Sequence, residues 1–270
     1  MGQDTAILVV SFGTTHMDAL ERCIAATEKA VADSFPEHPV YRAFLSPMVM
    51  RRLKERHGME TDNVAQALER IAEDGYRQVA IQPTLLLRGY EYELLAGEAE
   101  KAGIRSAIGR PLLESTKDCA ALAPIVIEEN PLGEKEALVL MGHGTEHEAN
   151  EIYHAMQNSF AERKYPAFIG TVNGTPSFAD AVEGLVLSGI KRAKLLPLMF
   201  VAGDHAKNHM AGQEDSLLAA VRDAGVLPEP VFRGLGESQS VRALYVERVR
   251  VAMKGLGRQA EIIAPGSCIP

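Results

Sequence analysis

The chain has 270 residues and a mass of 29.3 kDa, with 46% hydrophobic and 24% charged residues. A chain of this size buries enough apolar surface to fold without disulfide staples, and the composition excludes a disordered, collagenous or disulfide-dense protein. The formal net charge of −8 argues against non-specific nucleic-acid binding, which requires clustered lysine and arginine.

The N-terminus and the cysteines indicate a soluble, cytoplasmic protein. The first apolar run is short, and neither a positive segment nor a small-residue cleavage site accompanies it, as a secretory signal would require. No run reaches the ~18 apolar residues of a membrane helix. Cys23, Cys119 and Cys268 are odd in number and far apart, which argues against a disulfide framework or a cysteine metal site. We therefore expect neither a membrane nor a nucleic-acid partner.

Apolar runs alternate with amphipathic segments along the chain. The segments 19–35 and 63–75 carry apolar residues at helical spacing. Continuous apolar strands separated by helices predict right-handed βαβ units and a parallel sheet that is covered on both faces. The predicted strands are, in chain order, 6–11, 40–45, 78–84, 105–109, 137–141, 168–172, 193–198 and 230–232.

The second four predicted strands repeat the first four. VVSFGTTH (9–16) aligns with LMGHGTEH (140–147), and residues 67–91 align without a gap with residues 181–205. Shared periodicity is common to all βαβ units, but shared glycine and proline positions indicate a duplication.

The duplication predicts the domain organisation. We expect an N-terminal α/β domain (1–130), a C-terminal α/β domain that repeats it (131–256) and a tail (257–270). The fold class is then α/β, with two similar domains, each a four-stranded parallel sheet flanked by helices. Because ligands bind outside the carboxyl ends of parallel strands, we expect the active-site cleft between the domains.

Two of the eight histidines, His143 and His205, directly follow predicted strands. His143 has glycine on both sides, which allows a bulky ligand to approach, and His205 stands where a helix begins. Imidazole suits divalent cobalt, nickel, iron or zinc. We expect the two rings to converge from opposed loops across the cleft. The alternative for each is a structural histidine bonded to the backbone.

Three further side chains are weaker candidates. Glu91 aligns with His205 and offers a carboxylate that can ligate a cation or accept a proton; the alternative is a solvated charge at a helix N-terminus. His147 and His209 stand four residues after the two main histidines, where we expect solvent-facing or supporting roles. The remaining histidines are expected to be surface or structural: His16, His38, His57 and His154.

Several catalytic motifs are absent from the sequence. It contains no GxxxxGK[ST] phosphate loop, no GxGxxG after a strand, no GxSxG elbow and no HExxH. A nucleotide-powered reaction or a hydride transfer is therefore poorly supported.

Five motifs resemble those of the anaerobic sirohydrochlorin cobaltochelatases, in the wider ferrochelatase-like superfamily. They are LVVSFGT, YRAFLSPM, GYEYE, MGHGTEH and PLMFVAGDHAKNHM, and they occur in family order between about residues 5 and 253. The resemblance implies a chelatase-like fold and a lyase that inserts divalent cobalt into sirohydrochlorin for cobalamin synthesis, without ATP or a permanent cofactor. Iron or nickel insertion, or a non-catalytic metal or tetrapyrrole carrier, are the alternatives, and a sugar- or phosphate-binding protein would share the architecture. Homo-oligomerisation is left open.

The resemblance also assigns roles to residues. It implies that His143 is a metal ligand and proton acceptor, that His205 is a second ligand, and that Glu91 is the catalytic and metal-binding carboxylate. Family members commonly carry a glutamate where this chain has Asn173, which offers a carbonyl oxygen but no charge and no site for a proton. We include Asn173 among the expected metal ligands; either Glu91 supplies the anionic ligand alone, or metal affinity and preference differ in this chain.

The implied substrate carries eight carboxylates, although the chain is acidic. Its binding must therefore depend on local hydrogen-bond donors and positive charges near the cleft. The candidates for contact with the tetrapyrrole are Ser11, Thr14, Arg88, Thr145 and Ala202, with Arg51 and Arg52 as further positive charges.

Overall fold

The structure, a computed structural model, describes residues 4–263, and their side chains as far as residue 257. It contains two four-stranded parallel sheets, with the orders β2-β1-β3-β4 and β6-β5-β7-β8. The predicted α/β fold with two similar sheets is therefore confirmed. The strands are β1 (Thr5–Ser11), β2 (Val40–Phe44), β3 (Gln78–Pro83), β4 (Arg105–Ile108), β5 (Glu136–Gly142), β6 (Ala167–Thr171), β7 (Arg192–Pro197) and β8 (Leu227–Pro230).

The central strands explain why the sequence shows continuous apolar runs. Every residue of β1 is buried, as is every residue of β5 after its first. A strand between two neighbours in the sheet, with helices on both faces, has no solvent side and so no polar alternation.

The prediction for the eighth strand is wrong. The apolar pattern predicts a strand at 230–232, whereas β8 spans Leu227–Pro230 and pairs along β7 from Leu227 opposite Arg192 to Pro230 opposite Leu195. The sequence LPEP contains two prolines, which argue against a central strand. At the edge of a sheet they are tolerated, because one side of the strand needs no hydrogen-bond donors.

Helices of the first half follow the predicted segments. The segment predicted at 19–35 begins as α1, passes through a π-helical stretch (Leu20–Ala25) and continues as α2. The segment predicted at 63–75 contains α4, which begins with a capping box between Asn63 and Gln66. The helices are α1 (Met17–Ala19), α2 (Ala26–Ser34), α3 (Pro47–His57), α4 (Val64–Glu73), α5 (Tyr90–Lys101) and α6 (Thr116–Glu129).

Irregular helical turns are more common in the second half. Short 3₁₀ turns occupy Glu148–Glu151 and Leu235–Glu237, and a π-helical stretch occupies Ala206–Met210. The α-helices are α7 (Ile152–Glu162), α8 (Phe178–Leu187), α9 (Leu217–Asp223) and α10 (Gln239–Ile263). No helix within residues 4–263 combines the length and the apolar character needed to span a bilayer.

Two helices pack against elements of the other half of the chain. Helix α10 packs on the first sheet, where Val249 and Ala252 join Ile7 and Val9 in one buried cluster. Helix α6 packs against α7 of the second half. Because these helices pack against the other half of the chain, the domain boundary at residue 130 stays a prediction from the sequence repeat. Residues 257–263 of the predicted tail are the end of α10, and residues 264–270 lie outside the described residues.

Two cysteines lie in this packed interior as free thiols, so we expect them to resist alkylation. Burial raises the pKa of Cys23 to about 12 and the pKa of Cys119 to about 11. Because the thiolate is the reactive form, iodoacetamide at about pH 8 should modify neither in the native protein and both in denaturant. Peptide mass mapping measures this, and native labelling of either thiol contradicts it. Cys268 lies outside the described residues, and the cytoplasmic location stays a prediction.

Candidate active site

A cavity of about 620 Å³ lies where the carboxyl ends of the two sheets meet. Its walls come from both halves: residues 11–16, 84–87 and 89–91 lie at or after strand ends of the first sheet, and residues 143–146, 198–201 and 203–205 follow strands of the second. This volume falls within the range of small-molecule sites. The loops named from the sequence thus surround one opening, as the position of ligands in parallel sheets predicts.

The cavity wall contains the two candidate histidines side by side. The ring centroids of His143 and His205 are 4.6 Å apart, and the rings meet edge to face at 85°. Both rings belong to the second half. They lie close together because they follow β5 and β7, which are neighbours in that sheet. The expectation that they converge from opposed loops is therefore wrong. The first half instead brings Phe12 and Glu91, which occupy the corresponding places in its own loops.

Close packing of the backbone fixes His143. Gly144 has φ of +73°, and a side chain there would collide with the carbonyl oxygen of Asn173, so this position requires glycine. The Nδ1 atom of His143 lies 2.9 Å from the Gly144 carbonyl oxygen. If Nδ1–H donates to that oxygen, Nε2 retains its lone pair, which is the form that binds a metal or accepts a proton.

The environment of His205 favours its neutral form. Loss of water around the ring lowers the pKa of His205, and the nearby rings of His143 and His209 lower it further, against an opposing effect of Asp204. His209 stacks on His205 with ring centroids 5.3 Å apart, within the π-helical stretch. A lowered pKa keeps the imidazole available as a ligand at a more acidic pH than usual.

Glu91 and Asn173 line the same cavity but do not complete a metal site. Glu91 lies in the first turn of α5, and the Asn173 backbone N–H donates to the His143 carbonyl oxygen at 2.9 Å. Among the described residues, no three His, Cys, Asp or Glu side chains lie close enough together to hold a metal ion. The structure thus brings the two imidazoles together in the second half, whereas Glu91 lines the cavity from the first half.

Three of the five predicted substrate contacts line the cavity. They are Ser11, Thr14 and Thr145. The hydroxyl of Ser11 accepts a hydrogen bond from Thr84 Oγ1 at 2.8 Å and is almost fully buried. The hydroxyl oxygens of Thr14 and Thr145 accept backbone hydrogen bonds from their own loops, so their O–H groups remain as donors.

The other two predicted contacts lie outside the cavity lining. Arg88 pairs with Glu114, and its guanidinium lies 4.7 Å from the centroid of the Tyr92 ring. Ala202 is buried in the core behind the second sheet. Their positions next to strand ends suggested contact, but their side chains are held elsewhere. Of the further positive charges, Arg52 lines the cavity and Arg51 does not.

Sequence reasoning missed several lining residues. His16, expected to be surface or structural, lines the cavity and bonds Asp204 across it. Tyr90 and Met48 add exposed apolar surface to the first wall. The usable signal was the position of His16 in the loop after β1, which contributes residues 11–16 to the lining.

Comparison with known proteins gives matches along nearly the whole chain. The profile of the family described as cobalt chelatase (CbiK) matches residues 5–254. The sirohydrochlorin cobaltochelatase of Salmonella typhimurium is 37% identical over 253 residues, which cover 92% of this chain and 96% of that protein. The sirohydrochlorin cobaltochelatase CbiKC of Nitratidesulfovibrio vulgaris is 31% identical over 258 residues, which cover 93% and 91%.

A solved structure shares the fold. SirB from Bacillus subtilis with Fe³⁺ superimposes with a TM-score of 0.65 at 17% identity, covering 95% of this chain and 98% of that one. At this identity the likeness concerns the arrangement of strands and helices alone, and it agrees with the two-sheet architecture described above.

Proposed function

The chain belongs to the cobalt chelatase (CbiK) family, and we propose that it is a lyase that inserts divalent cobalt into sirohydrochlorin in cobalamin biosynthesis. The observation that carries the proposal is the His143–His205 pair in the wall of a cavity lined by both halves. These histidines stand in the MGHG and VAGDHA motifs that the resemblance assigns to metal handling. ATP independence is part of the proposal.

The proposed chemistry uses the imidazoles as ligands and bases. Insertion must strip water from the cation, remove two pyrrole protons and form bonds from the ring nitrogens to the metal. We assign metal binding to the two neutral imidazoles. As the cation passes to the ring nitrogens, its bond to His143 breaks, and the freed Nε2 lone pair accepts one pyrrole proton. In this assignment Glu91, on the wall opposite the imidazoles, accepts the second pyrrole proton. Both protons then pass to solvent.

The two walls of the cavity differ, which suits a flat macrocycle. The second wall carries the imidazole pair, whereas Phe12 and Met48 on the first wall are each 47% exposed and apolar. A disc between them meets the metal ligands on one face and apolar surface on the other. Positive charge and donors for its carboxylates come from Arg52, Thr14 and Thr145 in this proposal.

An anaerobic absorbance assay tests the proposal. Pure protein is mixed with sirohydrochlorin and with cobalt, iron or nickel under identical conditions, and the change in the tetrapyrrole spectrum is followed. We expect insertion without ATP, fastest with cobalt. A faster rate with iron or nickel identifies the alternative chelatase, whereas binding of cobalt and tetrapyrrole without turnover identifies a carrier. Absence of binding to either contradicts the proposal.

Asn173 is the observation that favours a difference in metal preference. It lines the cavity beside the imidazoles at the place where the resemblance implies a glutamate. We expect Asn173→Glu to add an anionic ligand and tighten cobalt binding on the order of tenfold, about 1.4 kcal/mol. Equilibrium dialysis against cobalt measures the affinity, with Asn173→Gln as the uncharged control of equal size. Equal affinity in the Glu and Gln variants contradicts a metal position near residue 173.

A further inference from the structure

Two clusters of contacts, which we call clasps, join residues of one half of the chain to residues of the other half beside the cavity. In the first clasp, His16 Nε2 lies 2.8 Å from Asp204 Oδ1, and His16 Nδ1 lies 3.3 Å from Lys207 Nζ. In the second clasp, His147 Nε2 lies 3.2 Å from Glu93 Oε1, and the Tyr90 ring meets the His147 ring edge to face at 5.1 Å.

The two clasps occupy equivalent positions in the two halves. His16 and His147 occupy the same position in the aligned loops, and the partner segments 90–93 and 204–207 are aligned as well. The backbone N–H of each histidine donates to the threonine two residues before it, at 3.2 Å in the first half and 3.1 Å in the second. The two halves therefore share the position of the clasp, although the partner residues differ: Asp204 corresponds to Tyr90, and Lys207 to Glu93.

The ring nitrogens of both clasp histidines are occupied. His16 Nδ1 accepts from Lys207, which leaves Nε2–H to donate to the Asp204 carboxylate. His147 Nδ1 accepts from the Ala149 backbone N–H at 3.0 Å, which leaves Nε2–H to donate to Glu93. Neither ring has a free lone pair for a metal or a proton. Their role must therefore be exerted through the residues they hold.

Each clasp ends beside a side chain that the proposed function uses. The first clasp holds Asp204, the residue directly before His205. The second holds Tyr90 and Glu93, on either side of Glu91. A histidine of one half thus restrains the loop that carries the reactive side chain of the other half. Small displacements of catalytic groups have large effects on rate, since a shift of about 1 Å costs up to ~10²-fold.

We propose that His16 and His147 are positioning residues, which orient His205 and Glu91 across the cavity through the two clasps. The inference rests on the proposed function, because it concerns the same site. It does not depend on the identity of the metal.

Substitution of the clasp histidines tests the inference. We expect His16→Ala and His147→Ala each to lower kcat for cobalt insertion about tenfold, with a change in KM for sirohydrochlorin of less than about twofold. His16→Gln should recover most of kcat, because the amide can still donate to Asp204 and accept from Lys207. The double variant His16→Ala/Asp204→Ala should lose no more than His16→Ala alone, since both changes break one contact.

The control is His57→Ala, which removes an exposed histidine at the end of α3, outside the cavity lining. It should leave kcat and KM unchanged. Wild-type kcat in both clasp variants, or a His16→Gln variant as slow as His16→Ala, overturns the inference.

Cobalt affinity separates this inference from the proposed function. Equilibrium dialysis against cobalt alone needs no insertion, and we expect His16→Ala to weaken binding about fivefold through His205 while His57→Ala does not. If the wild-type protein inserts no metal but His16→Ala still binds cobalt more weakly than His57→Ala, the proposed function fails and the positioning role of His16 is supported. If the affinities are equal, the clasp fails.

Discussion

Replacement of His143 by alanine should abolish cobalt insertion, with kcat reduced by a factor of at least about 10³. The reason is that one side chain supplies both a ligand and a proton acceptor in the proposed reaction. Loss of general base catalysis alone typically costs about 10²–10⁴-fold. The His205 imidazole, whose ring centroid lies 4.6 Å from that of His143 in the wild type, is then the one imidazole left of the pair.

The fold should survive this change. The His143 ring makes one hydrogen bond, to the carbonyl oxygen of the next residue, and it lies against the cavity rather than in a core cluster. Circular dichroism and the melting temperature should match the wild type. His154→Ala, which removes a histidine of the same half outside the cavity lining, is the matched control. Insertion near the wild-type rate in His143→Ala removes this residue from the mechanism.

The architecture was predictable because its determinants are local and repeated. The apolar runs of β1 and β5 identify strands that are buried on both faces, and the aligned glycines mark equivalent turns. Gly13 and Gly144 both have positive φ, +98° and +73°, in the loops after these two strands. A local backbone requirement of this kind is expressed directly in residue type, so the duplication could be detected in a single sequence.

The arrangement of the site was only partly predictable, because it depends on sheet order. Residue numbers alone place both His143 and His205 in the predicted C-terminal domain (131–256), so the expectation of opposed loops was already at odds with that boundary. Their closeness depends on the pairing of β5 with β7, which chain order does not specify. Arg88 also follows a strand, but its pairing with Glu114 depends on a loop far along the chain. Contacts over long sequence separations leave no periodic pattern.

The return of α10 to the first sheet is another contact of this kind, and a buried ion cluster secures it. Asp118 in α6 is 7% exposed and accepts hydrogen bonds from Arg110 at 3.0 Å and from Arg248 of α10 at 3.1 Å. Its second carboxylate oxygen accepts from Ser115 Oγ and from the Glu114 backbone N–H. Arg248 is only 11% exposed and also donates to a backbone carbonyl. Burial lowers the pKa of the Arg248 guanidinium, and the neighbouring Tyr245 and Asp118 oppose this effect.

Asp118→Ala should therefore reduce the free energy of unfolding by about 3–5 kcal/mol, because it leaves the Arg248 charge buried without its partner. Urea denaturation measures the change. Asp223→Ala is the control, since that carboxylate is 73% exposed and its variant should stay within about 0.5 kcal/mol of the wild type. The double variant Asp118→Ala/Arg248→Met should recover part of the loss, because a methionine there needs no counter-charge. A loss below about 1 kcal/mol in Asp118→Ala would mean that solvent reaches Arg248 and that packing alone holds α10 on the first sheet.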